Sequence, residues 1–387
     1  MPDTDRSRLR ILVDAAIVKP HLGGIASYAI GVVSGLAALG EIDICVATSV
    51  PELFDFPTVE LIELPAAVRS AGARAVWRER RLRSLAVSTG ADVLFAPNLE
   101  LAFIRRPQLP AIAVVHDIGP IVAPSLYGGR RRQLQYLLAA RLASRRAAHI
   151  LCVSAATLDA LRARLGPIAA PCSVAGEAGR ILPVLERNVQ TSRYVLSVGA
   201  MLAHKNIATL VAAMDSDALA NVHLELAGPL DTRERALLDL WRSRLRRPER
   251  VVHHGFVEPE RLAELYAGSA LVALPSLYEG FGLSMLEAMR AGAPVVASEL
   301  PALRELGGSA GTYIADPLSV SEWVETLTAV LADGERMAQM ARGGRERAAR
   351  FAWPEIGAQI ASIARALAQQ TGKRRAHEVA SERSPAS

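Results

Sequence analysis

The chain has 387 residues and a formal net charge of +5, and hydrophobic residues make up 51% of it while aromatic residues make up only 5%. This length is sufficient for two domains, each with its own core. Cores of Ala, Val, Leu and Ile are typical of parallel strands that helices cover on both faces, so the composition predicts α/β domains. The weak positive charge, without a groove-reading motif or a stacking-aromatic pattern, argues against a nucleic-acid partner.

Three cysteines, Cys45, Cys152 and Cys172, lie within apolar runs. Their odd number and setting predict small buried thiols in a reducing compartment, without a disulfide. The polar residues at the start lead directly into a short strand and leave no room for a secretory apolar region. No apolar run is long enough to span a bilayer, so we expect a cytoplasmic protein.

The first half of the chain alternates strand and helix patterns. The apolar run at 10–14 is followed by Gly23-Gly24 and by a helix pattern that continues to Leu39, which is the start of a doubly wound unit. Further buried strands are predicted at 42–47, 59–64, 93–96, 112–115 and 150–153. Helices are expected between them, including 130–147, and Ser154 is the expected N-cap after the last strand.

The apolar periodicity breaks down over 169–193, where we place the domain boundary. A second alternating set follows, with strands predicted at 194–199, 222–227, 251–252, 271–274, 295–297 and 312–314. After the last strand the pattern is helical to about residue 370. Interruptions are expected at Gly343-Gly344 and at Trp353-Pro354, since these residues disfavour a continuous helix.

The segment over 276–289 joins two carboxylates through a glycine loop and a helix start. Glu279 is expected in the loop and Glu287 on the helix. Gly280 and Gly282 permit a tight turn and the close approach of a ligand, and the helix that they introduce offers unpaired N–H groups to an anion. Because ionised carboxylates only accept hydrogen bonds, the pair suits sugar hydroxyls on either side of a diphosphate.

This segment resembles the Glu-x7-Glu signature of the family 4 retaining glycosyltransferases. The resemblance is nearly continuous over 195–353 and includes Glu305 and Asp316-Pro317, whereas the N-terminal half matches through short motifs only. It implies the GT-B fold, in which two facing Rossmann-like domains are completed by a C-terminal helix that crosses back to the first. The implied parts are an acceptor-binding domain at 1–180, a nucleotide-sugar-binding domain at 190–352 and the crossing helix at 353–370. The residues at 371–387 mix charge, Ser and Pro with few apolar positions, so their composition predicts a disordered tail.

The resemblance implies catalytic roles for Glu279, His116 and Lys205. Glu279 would hold hydroxyls of the transferred sugar, Glu287 would hold the ribose hydroxyls, and the loop containing Gly24 would approach the diphosphate. The implied substrate-binding residues are Gly23, Gly24, Asp117, His204, Asn206, Val257, Gly280, Phe281, Gly282, Leu283 and Glu287.

Lys205 and Asn206 follow the strand that ends at Gly199, where a compact cation can reach a diphosphate. Here the sequence departs from the family, in which an arginine accompanies the lysine, because the corresponding positions hold Ala200 and His204. A protonated His204 could replace the arginine as a donor, which would make phosphate binding pH-sensitive.

Two other histidine motifs follow strands. His116-Asp117 ends a predicted strand at the carboxyl edge, where open α/β sheets bind ligands, and the resemblance places a histidine there beside the donor sugar. We therefore expect a site role for His116 and a supporting one for Asp117. His253 and His254 lack a third ligand at metal spacing, and successive strand residues point to opposite faces, so we expect no metal and no cofactor.

A basic helix over 130–146 carries apolar residues at helical spacing. One interpretation is a core-facing stripe with a solvated basic face. The other is peripheral contact with anionic lipid at the inner membrane face, where a lipid-linked acceptor is presented.

The resemblance implies metal-independent, retaining transfer of a hexosyl group, mannosyl or related, from a GDP-, UDP- or dTDP-hexose in polysaccharide or glycoconjugate biosynthesis. The acceptor would be a hydroxyl of a glycan, a lipid-linked molecule or a small molecule. One alternative, suggested by the missing arginine, is a non-catalytic partner subunit that binds a nucleotide sugar. A GT-B epimerase or phosphorylase is a further alternative, although no local motif supports it.

Overall fold

The computed structural model describes residues 8–19, 23–100, 109–180, 182–183, 185–187 and 194–382, with side chains up to 371. The chain divides into two compact units. Unit 1 takes its described residues from Met1–Ile118, Leu134–Ala178 and Ala352–Ser387, and unit 2 from Gly119–Gln133 and Gly179–Phe351. The segment Gly119–Gln133, which the sequence assigns to the first domain, therefore belongs to unit 2.

Each unit is built on one parallel sheet. Among the described residues, unit 1 has seven strands in the spatial order β3-β2-β1-β4-β5-β6-β7 and unit 2 has six in the order β10-β9-β8-β11-β12-β13. The strands are β1 (Leu9–Asp14), β2 (Ile42–Thr48), β3 (Val59–Glu63), β4 (Val93–Ala96), β5 (Ala111–Val115), β6 (His149–Cys152), β7 (Cys172–Val174), β8 (Tyr194–Val198), β9 (His223–Ala227), β10 (Val251–His253), β11 (Leu271–Leu274), β12 (Val295–Ser298) and β13 (Gly311–Ile314). Both orders are doubly wound, which confirms the predicted pair of Rossmann-like domains.

Helices connect these strands. They are α1 (Gly24–Ala38), α2 (Ala71–Trp77), α3 (Arg83–Ser88), α4 (Gly119–Val122), α5 (Gly129–Arg146), α6 (Ala155–Leu165), α7 (Ile207–Ala213), α8 (Thr232–Arg242), α9 (Pro259–Gly268), α10 (Leu283–Arg290), α11 (Pro301–Gly307), α12 (Val320–Ala332), α13 (Gly334–Ala348) and α14 (Trp353–Glu382). The predicted cap is confirmed, since the Ser154 hydroxyl accepts a hydrogen bond from the Thr157 amide at the start of α6. A π-helical turn, Arg78–Leu82, joins α2 to α3.

The C-terminal helix α14 packs against α1 inside unit 1. A Cβ atom built on Gly31 would lie 2.0 Å from the Trp353 ring, and one on Gly35 would lie 2.1 Å from the Trp353 carbonyl oxygen. The two glycines therefore allow the helices to approach closely. This packing confirms the prediction of a C-terminal helix that returns to the first domain.

Three details differ from the sequence-based expectations. The helix α14 continues to Glu382 through residues of good helix propensity, so the tail predicted as disordered from 371 is helical as far as the structure describes it. No interruption occurs at Gly343-Gly344, because α13 runs through both and Gly344 packs against Met289 on α10. Among the cysteines, Cys172 is only half-buried and lies in the short strand β7, which the sequence did not predict.

Candidate functional site

The sheet of unit 2 has its topological switch point between β8 and β11, where open α/β sheets bind ligands at their carboxyl edge. The chain leaves β8 at Val198 and β11 at Leu274. A narrow cleft lies at this edge, and it is lined by Ser197, Val198, Gly199, Ala200, Lys205, Ile207, Leu274, Pro275 and Ser276.

Lys205 and Glu279 meet beside this cleft. The Lys205 Nζ donates to Glu279 Oε1 at 2.6 Å, and the Ser276 hydroxyl donates to the same oxygen at 2.7 Å. Burial alone would raise the pKa of Glu279, but the charge and hydrogen bond of Lys205 outweigh it and hold the pKa below its ordinary value. The structure thus brings together the predicted sugar-binding carboxylate and the predicted phosphate-binding cation as an ionised pair.

The loop after Glu279 turns into α10 through Gly282. This residue has φ +107° and precedes the first helical residue, Leu283, and a Cβ atom there would lie 2.5 Å from Leu303. Only glycine fits both conditions, as the sequence predicts for a tight turn. Phe281, which is predicted to bind substrate, is buried, and its ring centroid lies 5.7 Å from that of Phe351.

The second carboxylate, Glu287, is buried and fully occupied by protein donors. Arg180 donates through Nε to Oε1 at 2.8 Å and through an η-nitrogen to Oε2 at 2.9 Å, and its backbone amide lies 3.3 Å from Oε1. The Tyr266 hydroxyl donates to Oε2 at 3.0 Å. Sequence reasoning did not find Arg180, which lies where the apolar periodicity breaks down and gives no signal of its own.

The first turn of α10 lies between the two ion pairs. The Ser284 hydroxyl donates to the carbonyl of Val198 at 3.0 Å, at the end of β8. The carbonyl of Ser284 is 3.4 Å from the Tyr266 hydroxyl, which also reaches Glu287. The first turn of α10, which lies between Glu279 and Glu287 in the sequence, is therefore bonded to the end of β8 and to Tyr266 on α9.

His204 cannot act as the predicted protonated phosphate donor. It is buried, its ring stacks on Tyr127 with centroids 4.6 Å apart, and its Nδ1 has no hydrogen-bond partner. Burial and the charge of Lys205 lower the pKa of His204 to about 4. The imidazole is thus neutral at physiological pH, and the expectation of a pH-sensitive replacement for arginine is wrong.

Three further residues of unit 2 are predicted to bind substrate, namely Asn206, Val257 and Gly280. Asn206 adopts φ +51°, donates to the carbonyl of Pro317 at 2.8 Å and accepts from the Thr209 hydroxyl at 2.8 Å. Its amide therefore anchors the start of α7. Gly280 is buried, and Val257 is half-buried in the loop after β10.

In unit 1, Gly23 and Gly24 are exposed at the start of α1, and nothing lies within 4 Å of a Cβ built on Gly23. His116 and the half-buried Asp117 directly follow β5. The His116 Nδ1 is 2.6 Å from Glu177, and its Nε2 is 2.7 Å from the carbonyl of Pro97.

Both acceptors favour a doubly protonated ring at His116. Burial opposes the charge, but Glu177 outweighs it, so the pKa of His116 is raised. The ring also meets Tyr28 edge to face, with centroids 4.7 Å apart. His116 is therefore held between two acceptors, and Glu177 is a partner that the sequence reasoning missed.

A buried ion-pair network, also missed from the sequence, lies at the switch point of unit 1, between β1 and β4. Arg78 donates through Nε to Asp14 at 2.6 Å and also pairs with Glu100, which Arg74 binds at 2.7 and 3.1 Å. Asp14, which ends β1, is thus held by the guanidinium of Arg78 in the π-helical turn.

His253 and His254 bind protein groups. The Nε2 of His253 is 2.8 Å from the carbonyl of Gly228, and His254 pairs with Glu225. Within the part of the chain that the structure describes, no three acidic, histidine or cysteine side chains are grouped as metal ligands. No helix in the described ranges has both the length and the apolar composition needed to cross a membrane.

Two family models match the chain. The model described as "Glycosyl transferases group 1" matches residues 185–347, a range that belongs to unit 2. The model described as "Glycosyltransferase Family 4" matches residues 22–175. Together they account for most of both units.

Curated relatives match shorter stretches. A D-inositol 3-phosphate glycosyltransferase of Gordonia bronchialis is 38% identical over 28% of this chain and 24% of its own length. The O-antigen chain mannosyltransferase B of Escherichia coli is 34% identical over 44% of this chain and 46% of its own length. The chain therefore spans less than half the length of these relatives.

Solved structures match almost the whole chain. The sucrose-phosphate synthase of Thermosynechococcus elongatus superposes with a TM-score of 0.77 at 20% identity and covers 93% of this chain and 99% of its own. The Anabaena protein HepE, in complex with UDP and glucose, reaches 0.70 at 20% identity and covers 92% and 99%. At this identity the likeness shows the fold alone, and it confirms the GT-B prediction.

Proposed function

The chain belongs to the group 1 glycosyltransferases of family 4, and on that premise we propose that it moves a hexosyl group from a nucleoside-diphosphate sugar to an acceptor hydroxyl. The observation that carries the proposal is the Lys205–Glu279 pair at 2.6 Å, beside the helix start that leads to Glu287. A cation and two carboxylates flanking one anion-binding helix end match the alternating charges and hydroxyls of such a donor.

The proposed chemistry breaks the bond between the sugar C1 and the diphosphate oxygen, and the electron pair leaves on that oxygen. Lys205 and the amides of the α10 start stabilise the developing charge, a role that protein cations can fill without a metal ion. Glu279 holds the sugar hydroxyls so that the acceptor oxygen bonds to C1 on the face from which the diphosphate departs, and the proton of the acceptor hydroxyl passes to the departing diphosphate oxygen. The configuration at C1 is then retained.

The comparisons guide the choice of donor and acceptor. One relative is named a mannosyltransferase and another an inositol-phosphate glycosyltransferase, while HepE was solved with UDP and glucose. We propose a mannosyl or related hexosyl donor carried by GDP, UDP or dTDP. The proposed acceptor is a glycan, lipid-linked or small-molecule hydroxyl.

A non-catalytic nucleotide-sugar-binding subunit is the second candidate function. The observation that favours it is His204, whose pKa of about 4 leaves it neutral, so it adds no positive charge at the site. Lys205 would then bind the diphosphate without a second positive charge from residue 204. Measured turnover separates the two candidates.

Peripheral membrane contact is proposed through one face of α5. Arg131, Leu134, Leu138, Arg141 and Arg145 are exposed at alternating spacings of three and four, so they share one side of the helix. The chain carries no acidic residue between Gly129 and Arg146. Exposed leucines among unopposed arginines fit an anionic lipid surface, at which a lipid-linked acceptor would be available.

Turnover of purified protein with GDP-mannose, UDP-glucose and the corresponding dTDP and ADP sugars tests the proposal. Release of the nucleoside diphosphate that needs an added acceptor and persists in EDTA supports a metal-independent transferase. The anomeric configuration of the product, read from NMR couplings, tests retention. Nucleotide binding without any turnover favours the non-catalytic subunit.

A further inference from the structure

Each carboxylate of the Glu-x7-Glu pair already holds a cation. Lys205 binds Glu279 at 2.6 Å, and Arg180 binds Glu287 at 2.8 and 2.9 Å. The side chain of Glu287 is 1% exposed, whereas that of Arg180 is 28% exposed. The site in this state therefore consists of two neutralised ion pairs rather than two free carboxylates.

The occupancy of Glu287 conflicts with ribose binding. A carboxylate has about four acceptor positions. Here the backbone amide and the Nε of Arg180 donate to Oε1, while its η-nitrogen and the Tyr266 hydroxyl donate to Oε2. Ribose hydroxyls can bind Glu287 only if the guanidinium moves away.

We propose that Arg180 is a phosphate-binding residue of the donor site, and that donor binding exchanges the partners of both ion pairs. The ribose hydroxyls displace Arg180 from Glu287, and the sugar hydroxyls displace Lys205 from Glu279. Both cations then bind the diphosphate between them. This inference rests on the proposed function and names a donor-binding residue that the sequence motif does not contain.

The charge of the diphosphate and the short distance between ribose and phosphate support the exchange of partners. A diphosphate carries at least two negative charges and attracts both cations, and the ribose and sugar hydroxyls then replace the hydrogen bonds that the two carboxylates lose. Only one carbon separates the ribose ring from the first phosphate, so a guanidinium released from Glu287 starts close to its new partner. Arg180 and Glu287 line one cavity of about 630 Å³, whose lining does not include Lys205 or Glu279, and this cavity leaves space beside the guanidinium.

A purely structural role makes a different prediction. If Arg180 only fastens its segment of the chain to α10, its removal weakens every ligand alike through loss of local order. If it binds phosphate, its removal weakens only ligands that carry phosphate. The nucleoside then binds unchanged or more tightly, because a competitor for Glu287 has gone.

Calorimetry on the full chain separates these roles. The probes are the nucleoside, the monophosphate and the diphosphate of whichever base binds best among UDP, GDP, dTDP and ADP. The variants are Arg180→Gln and Arg180→Lys, and the matched control is Arg246→Gln, whose exposed arginine pairs with Asp215 and Asp217 elsewhere in unit 2. Thermal unfolding without ligand checks that each variant is folded.

For Arg180→Gln we expect diphosphate affinity to fall about tenfold or more, the size of a lost charge-assisted hydrogen bond. Nucleoside affinity should stay within about threefold of wild type or increase, and Arg180→Lys should be intermediate for the diphosphate. Equal losses for nucleoside and diphosphate, or an unchanged diphosphate affinity, would overturn the exchange and leave the transferase proposal intact. A wild-type protein that binds none of the four diphosphates overturns the proposed function itself.

Discussion

Tyr127 stacks on His204 with ring centroids 4.6 Å apart and planes inclined by 10°. Tyr127 also meets Tyr278 edge to face at 6.2 Å. The stack removes His204 from water directly beside Lys205, and both effects disfavour a second positive charge. His204 is therefore a neutral, buried aromatic side chain next to the Lys205–Glu279 pair.

This burial predicts a specific loss of stability in acid. The pKa of His204 is about 4 in the folded chain and 6.5 when unperturbed, so between these values the unfolded state binds the proton and the folded state does not. The free energy of unfolding is thus intact above pH 6.5 and falls as the pH drops toward 4. Replacing His204 by Gln should remove about 2 kcal/mol of this acid-induced loss. Urea unfolding at pH 7 and pH 4.5 measures it, with His223→Gln, at an exposed histidine, as control.

Lys205→Ala should reduce turnover more than donor affinity. Negative charge on the diphosphate grows as the sugar departs, so the cation stabilises the transition state more than the bound donor. Steady-state kinetics with the best donor give kcat and KM separately, and EDTA should change neither in wild type or variant. A raised KM with an unchanged kcat would instead assign Lys205 to uniform binding of ground state and transition state. A strict metal requirement would contradict the metal-free stabilisation proposed for this residue.

Glu287→Ala should weaken binding of the nucleoside, because its proposed partner is the ribose. The expected loss is about 1.5–3 kcal/mol, the size of a hydrogen bond to a charged group. The diphosphate should lose less, since the variant frees Arg180. Calorimetry with both ligands measures this, with Glu299→Ala, an exposed partner of Arg304, as control. Unchanged nucleoside affinity would remove the ribose assignment.

The sequence predicts the parts of the site that are local in the chain. Glu279, Gly282 and Glu287 belong to one segment, and the reasons for the loop glycine hold in the structure. Arg180 was not found because its hydrogen bonds to Glu287 join residues 107 positions apart. His204 was misjudged because its burial depends on Tyr127, a distant residue that no sequence pattern connects to it.

The fold likewise contains features that depend on tertiary contacts or on very short patterns and could not be predicted from the sequence. Buried parallel strands are continuous apolar runs, so the longer strands could be predicted from the sequence. The strand β7 could not, because three half-buried residues give too short a pattern. Gly344 stays helical because Met289 packs on it, which is a tertiary effect that helix propensity does not contain.

Gly282→Ala should destabilise unit 2. The residue has φ +107°, and its added Cβ would lie 2.5 Å from Leu303, so backbone strain and overpacking together cost about 2–4 kcal/mol. Gly334→Ala is the matched control, since this glycine also stands at a helix start and nothing lies within 4 Å of its Cβ. Urea unfolding compares the two variants. Equal stability would show that the loop relaxes around the methyl group without cost.

The exposed face of α5 predicts salt-sensitive binding to anionic vesicles. Leu134 and Leu138 are 67% and 55% exposed, and each arginine near an anionic surface contributes about 1 kcal/mol. Co-sedimentation with anionic and neutral vesicles should therefore show binding to the anionic ones only. The triple variant Arg130→Glu/Arg131→Glu/Arg132→Glu should lose it, and Leu134→Ser/Leu138→Ser should weaken it.

The control for the leucines is Leu237→Ser/Leu240→Ser, because these residues are exposed to 37% and 46% on α8. This variant should bind like wild type if the α5 face is the contact, and a loss of binding would instead indicate general hydrophobic adsorption. Equal and negligible sedimentation of all proteins would favour a small-molecule or free glycan acceptor. In that case the basic side of α5 is a solvated surface, and Leu134 and Leu138 have no membrane role.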